Sequence, residues 1–230
     1  MCGRFSLPDE TAVSMLLKID RWNWHWPEPR FNVAPTTRVP MVIRADDVLL
    51  ELNGARWGLI PHWWKKDAPP SLTFNARSEE AAEKPTWRHS MRKLRCLMPA
   101  RGWYEWNEKE QVRSDSGRQV KQPYFISAPN TEAIAFAGLW SIWKGQDDTQ
   151  VLSCALLSKG ASPAIVHIHD RMPVVLNPEH FDAWMDPNTS GQTVQEIIAD
   201  SQNEFASSPV STKVNNTRND FADLLVPLQA

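Results

Sequence analysis

The sequence predicts an α+β fold in a single domain spanning residues 1–230, on three observations. Strand-like runs outnumber helical ones and do not alternate strictly with them, which argues against a doubly wound parallel sheet. The 230 residues are 42% apolar, enough for one sizeable core. No stretch reads as an interdomain linker, and no internal repeat is present.

The elements follow from local pattern. Residues 6–19 read as a helix, with Ser6 as cap, Pro8 early, Asp9 and Glu10 on the positive end of the dipole, and Ala12, Val13, Leu16 and Leu17 at helical spacing. Strands are expected at 39–44, 48–52, 95–106, 123–128, 133–140, 151–158, 164–169 and 172–176, where β-branched and aromatic residues cluster. The polar segment 107–122 reads as an exposed hairpin loop. Ser78-Glu79-Glu80 opens a short helix. Asn177-Pro178-Glu179 caps another before "HFDAWM", and "GQTVQEIIADS" forms a third.

Bulk chemistry excludes several function classes. Net charge is −2, so a nucleic-acid site must be a local cluster of arginines. The first thirty residues hold no signal-peptide core, and no run approaches a membrane span. Three cysteines, Cys2, Cys96 and Cys154, are widely spaced and form neither a ligand pair nor a disulfide framework. The expectation is a soluble, cytoplasmic, reduced protein that uses no cofactor. Twelve tryptophans are unusual, and packing accounts for most. "PHWWKK", with Trp63 and Trp64 before two lysines, suits base stacking.

Cys2 opens the chemical argument. A small second residue favours removal of Met1, which would leave an α-amine and a thiol on adjacent carbons. Their reference pKa values, roughly 8 and 8.5, leave both partly nucleophilic near neutrality. The amine can condense with an aldehyde to a Schiff base, and the thiol can close on the same carbon to a five-membered thiazolidine. Glu105, flanked by aromatics in "GWYEW", is a candidate general acid, because an apolar setting raises a carboxyl pKa. In "FNARSEE", Asn75 and Arg77 share a strand face at a strand-to-helix turn, as an orienting amide and a phosphate grip. In "VHIHDRMP", period two puts His167 and His169 on one side. His169 beside Arg171 suits acid–base work near phosphate better than a metal, for which no further ligands are spaced.

Taken in order, "MCGRF", "RFNVAPTT", "NARSE", "RCLMPARGWYEW" and "HDRMPVVL" resemble the SRAP family, the SOS response-associated peptidases or abasic site processing proteins. The resemblance runs from residue 2 to about "NDFADLL". It implies a compact α+β fold with a barrel-like, largely antiparallel β core flanked by short helices. It also implies recognition of abasic sites in single-stranded DNA by a monomer, nucleoid-associated when bound, and a thiazolidine crosslink to the ring-opened sugar. Carried over by motif, the nucleophile is Cys2, with Asn75, Glu105 and His169 assisting. DNA contacts fall on Gly3, Arg4, Arg77 and Arg171, with Trp64 near the lesion and Trp63 able to exchange roles with it. Ser158 stands where relatives carry a threonine. The peptidase label fits removal of what precedes the cysteine, and β-elimination from the Schiff base would give lyase activity as a side path. Two other chemistries fit parts of the chain. One is an N-terminal-nucleophile amidotransferase, with Asn53-Gly54 as an oxyanion loop. The other is a non-catalytic single-strand-binding module.

Overall fold

The computed structural model describes residues 2–45, 49–66, 68–71, 73–145 and 147–228. The chain runs β1 (Phe5–Ser6), α1 (Glu10–Leu16), β2 (Arg21–Trp22), β3 (Arg38–Arg44), β4 (Leu50–Trp57), β5 (Asn75–Arg77), α2 (Ser78–Ala81), α3 (Arg88–Lys93) and β6 (Arg95–Ala100). It continues with β7 (Gly102–Arg113), β8 (Gln119–Ser127), β9 (Ile134–Lys144), β10 (Gln150–Gly160) and β11 (Arg171–Pro173). α4 (Phe181–Met185), α5 (Gly191–Ala199) and β12 (Ala206–Pro209) follow, with short 3-10 turns around them. Among the described residues, no helix is long and apolar enough to cross a membrane.

Five strands close a barrel. β3 lies between β4 and β6, β6 pairs β9, and β9 pairs β10, all antiparallel. A parallel seam between β10 and β4, Ser153 opposite Arg56 and Cys154 opposite Trp57, completes the ring. Alternation sorts the side chains. Met41, Cys96, Met98, Cys154 and Leu156 pack with Trp57, Trp103 and Phe136 in one core. Val42, Leu97, Leu139 and Leu157 face the other way, under Trp184, Ile197 and Ile198 of α4 and α5. Each large apolar side chain so buried contributes roughly 2 kcal/mol. All three cysteines are free and buried.

A second, antiparallel sheet, in the order β1-β7-β8-β12, packs on the barrel. The corner between the sheets falls at Arg101. The run expected as one strand over 95–106 is therefore two strands in different sheets. The turn exploits Gly102: a Cβ there would lie 2.4 Å from the Ile126 carbonyl oxygen and 2.6 Å from the Phe125 ring.

Several expectations need correcting. The first helix is shorter than 6–19. Ser6 belongs to β1, and the cap is Asp9, whose carboxylate accepts the Ala12 N–H at 2.7 Å. The segment 107–122 is not a loop, because β7 and β8 run on to Arg113 and from Gln119, with a register shift between Asn107 and Gln111. Of the strand expected at 48–52, Val48 lies outside the described residues, and β4 reaches Trp57. That extension puts Asn53 and Gly54 inside a paired strand, opposite Met41 and Pro40, so they form no oxyanion loop. Asn177 makes no side-chain cap; its amide instead donates to the Asp200 carbonyl. Residues 163–168 are successive turns and 169 is in no strand, with the Ile165 and Val166 N–H groups both returning to the Ser162 carbonyl. The expected strand pairing of His167 with His169 therefore fails.

Candidate active site

Strand pairing builds the site around Cys2. Phe5 sits opposite Trp103 and Ser6 opposite Gly102, and the Tyr104 N–H donates to the Arg4 carbonyl at 2.9 Å. The same register carries Glu105 alongside the first residues of the chain. β10 supplies the other side. Its partner is β4 at Ser153 and Cys154, then β5 from Leu156 to Ser158, in parallel, which sets Asn75 beside Leu156. From Ser158 to Gly160 its other edge pairs β11, which anchors the turn bearing His169.

Four side chains meet there. The Asn75 amide donates to the Cys2 carbonyl at 2.6 Å. His169 Nε2 lies 4.0 Å from Glu105 Oε2. Glu105 is 3% exposed, and burial, with a smaller push from the Asp170 charge, raises its carboxyl to about 7. Burial, then the Glu105 charge, pushes the Cys2 thiol well above its ordinary range. Burial also lowers His169, favouring neutral imidazole, while Asp170 opposes that shift. A buried acid near neutrality, beside a protonated thiol and a neutral imidazole, can give and take protons at physiological pH.

Residues 1–217 match the family model described as SOS response associated peptidase (SRAP). The chain belongs to the SRAP family. It is 35% identical over 240 residues to abasic site processing protein YedK of Escherichia coli, covering 99% of this chain and 100% of the relative. It is 32% identical over 231 residues to abasic site processing protein YoaM of Bacillus subtilis, covering 98% and 97%. A crystal structure of a protein from Bacteroides thetaiotaomicron superposes with a TM-score of 0.81 at 20% identity, covering 99% of this chain and 100% of that one. That likeness concerns the fold.

The remaining expected residues of the SRAP chain are placed unevenly around this centre. Gly3 and Arg4 are half-buried. Arg4 donates to Asn32 Oδ1 and to the Val214 carbonyl, both at 2.8 Å, and its guanidinium lies over Trp106. Arg77 is exposed, and its guanidinium approaches Glu80 at 3.9 Å. Trp63 is 45% exposed. Trp64 is half-buried, its indole donating to the Ala68 carbonyl at 2.9 Å while its own carbonyl accepts from Trp143. Ser158 is 1% exposed and offers no surface to a strand. Its carbonyl accepts from Arg171 Nη2 at 2.8 Å. Arg171 is held by Glu79 as well. His167 is exposed on the turn.

Sequence reasoning left three supporting residues of the SRAP site without a role. Asn32 is buried, and its amide donates to the Val214, Asn216 and Asn219 carbonyls. Asp220 accepts from the Asn32 backbone N–H at 3.0 Å and also from Phe31 N–H and Arg30 Nε. Glu79 grips Arg171. All three fall inside motifs quoted for the resemblance, but apart from Arg4, 28 residues from Asn32, their partners lie 92 to 190 residues away, beyond the reach of local pattern.

Proposed function

We propose that this chain captures abasic sites in single-stranded DNA as a thiazolidine on Cys2. The observation that carries the reading is the convergence of the Asn75 amide and the near-neutral buried Glu105 carboxyl on Cys2, with the His169 imidazole 4.0 Å from that carboxyl. The names of the curated relatives, abasic site processing proteins, support it.

The chemistry balances without a cofactor. Once the residue ahead of Cys2 is removed, its amine adds to C1′ of the ring-opened deoxyribose. Glu105 gives its proton to the departing hydroxyl, releasing water and leaving an iminium. The carboxylate so formed takes the proton of the Cys2 thiol as sulfur bonds to the same carbon. The products are a neutral ring N–H, one water and Glu105 protonated again. A pKa of about 7 suits both halves of this cycle. His169 supports the proton traffic through Nε2, and Asn75 fixes the Cys2 carbonyl. Intact DNA presents no aldehyde, so selectivity comes from the bond that forms. Binding itself rests on Arg77, a few further cations and the exposed indole of Trp63.

Incubation with an abasic single-stranded oligonucleotide tests the reading. An adduct that survives heat and SDS is expected, with Cys2→Ala abolishing it and Cys2→Ser giving at most a labile one. Mass spectrometry should find the reactive chain beginning at Cys2. Uncoupled migration of oligonucleotide after boiling would reject the mechanism. Equal affinity for intact and abasic strands without an adduct would favour a non-covalent binding module, and ammonia released from glutamine would favour the amidotransferase chemistry.

A further inference from the structure

The chemistry above leaves one charge of the "NARSE" segment unused: Glu79, in the first turn of α2. Its two carboxylate oxygens accept from Arg171 Nη1 at 2.7 Å and Nη2 at 2.9 Å, a fork-on-fork pair. Arg171 Nη2 also donates to the Ser158 carbonyl at 2.8 Å and lies 3.3 Å from the Ser158 hydroxyl. The guanidinium is thereby clamped between α2 and β10.

Arg171 opens β11, whose pairing opposite Gly160 holds its backbone, and the clamp on its side chain adds a second hold. Its N–H donates to His169 Nδ1 at 3.0 Å. A ring nitrogen that accepts a hydrogen bond carries no proton. Neutral His169 must then hold its proton on Nε2, the nitrogen that faces Glu105 at 4.0 Å. A rival arrangement stands beside it. Asp170 Oδ1 lies 3.1 Å from the same Nδ1 and could accept from it only if that nitrogen were protonated. Asp170 is 85% exposed, so water weakens its pull. The chain's amino terminus, Glu105 and Glu108 of β7 also bear on the imidazole electrostatically. The tautomer is therefore a competition between the Arg171 N–H and the Asp170 carboxylate, and the Arg171 N–H is the contestant that Glu79 steadies.

We propose that Glu79 is a positioning residue: by holding Arg171 against β10, it keeps the 171 N–H on His169 Nδ1 and the imidazole proton on Nε2, towards Glu105. One segment would then serve the site twice, Asn75 through the Cys2 carbonyl and Glu79 through Arg171 and His169. The proposal rests on the abasic-site reading for the reaction it assists, whereas the tautomer stands by itself.

Nitrogen-15 NMR of the full chain without DNA reads the tautomer directly, with His169→Gln identifying the resonance. At about pH 8, where imidazole is neutral, Nε2 should carry the proton. In Glu79→Ala the Nδ1–H form should become populated. Adduct formation should then slow about tenfold, the scale of a modest acid–base contribution, with its pH profile displaced. Glu79→Asp should recover part of both, and affinity for intact strand should stay within about twofold. An unchanged tautomer and pH profile in Glu79→Ala would overturn the proposal. So would tighter binding of intact strand with the tautomer unchanged, since Glu79 would then be masking a phosphate site at Arg171. Should the native chain form no adduct at all, the abasic-site reading falls while the NMR measurement still decides the role of Glu79.

Discussion

At the scale of single residues, the buried Glu105 carboxyl ties stability to pH. Its carboxyl stands at about 7, against 4.5 for an ordinary glutamate. Between those values the folded chain keeps a proton that the unfolded chain has released, so folding is favoured at the acid end. That contribution, on the order of 3 kcal/mol, is present below about pH 4.5 and lost as pH rises through about 7. Glu105→Gln removes the titration. Urea unfolding at about pH 5 and about pH 8 should therefore show a larger fall for the native chain than for the Gln variant. Adduct formation by Glu105→Gln should be slowed about 100-fold at neutral pH while intact-strand affinity barely changes. Parallel loss of both would make the carboxyl structural. The desolvation of Glu105 was legible in "GWYEW" because its neighbours are aromatic. Glu79 was not, since nothing within the motif shows that its partner is Arg171.

Among the elements, corners and turns escaped local reading. The run 95–106 has the same strand character on both sides of Arg101, so composition hides the corner. What permits the corner is the missing Cβ of Gly102, where Ser6 of β1 comes alongside. Gly102→Ala would press a methyl against the Ile126 backbone, which cannot rotate away. Overpacking of this kind costs about 1–3 kcal/mol, and a lower urea midpoint with an unchanged m-value would register it. In "AIVHIH", six residues fit period two and a helical turn equally well. Ile165 and Ile168, three apart and both buried, show which pattern holds. The charged stretch 107–122 misled differently: polarity marks exposure, not the absence of a ladder, and β7 and β8 pair across it.

For the whole molecule, the α+β class and the strand-rich core were legible from composition and order, and the barrel from the resemblance. The closing parallel seam was not, because β4 and β10 meet across nearly a hundred intervening positions. The far end of the chain has a similar reach. Asp220 secures Arg30, Phe31 and Asn32, and Asn32 in turn holds Arg4. Asp220→Ala leaves a partly buried arginine and two N–H groups without their acceptor. It should cost about 3 kcal/mol, visible as a lowered melting temperature. Net charge of −2 sets the binding regime. Engaging about two phosphates of a single strand predicts a log–log salt slope near −1.4, flattened by about 0.7 in Arg77→Ala. A much steeper slope would mean a wide cationic track.

The parallel seam also sets a timetable. During translation Cys2 leaves the ribosome long before β10, the His169 turn or Asp220 exists, so the pocket that shelters it cannot yet form. In that interval the nascent thiol stands open to any electrophile in solution. Closure of the barrel withdraws that thiol from solvent, to 2% exposure in the folded chain.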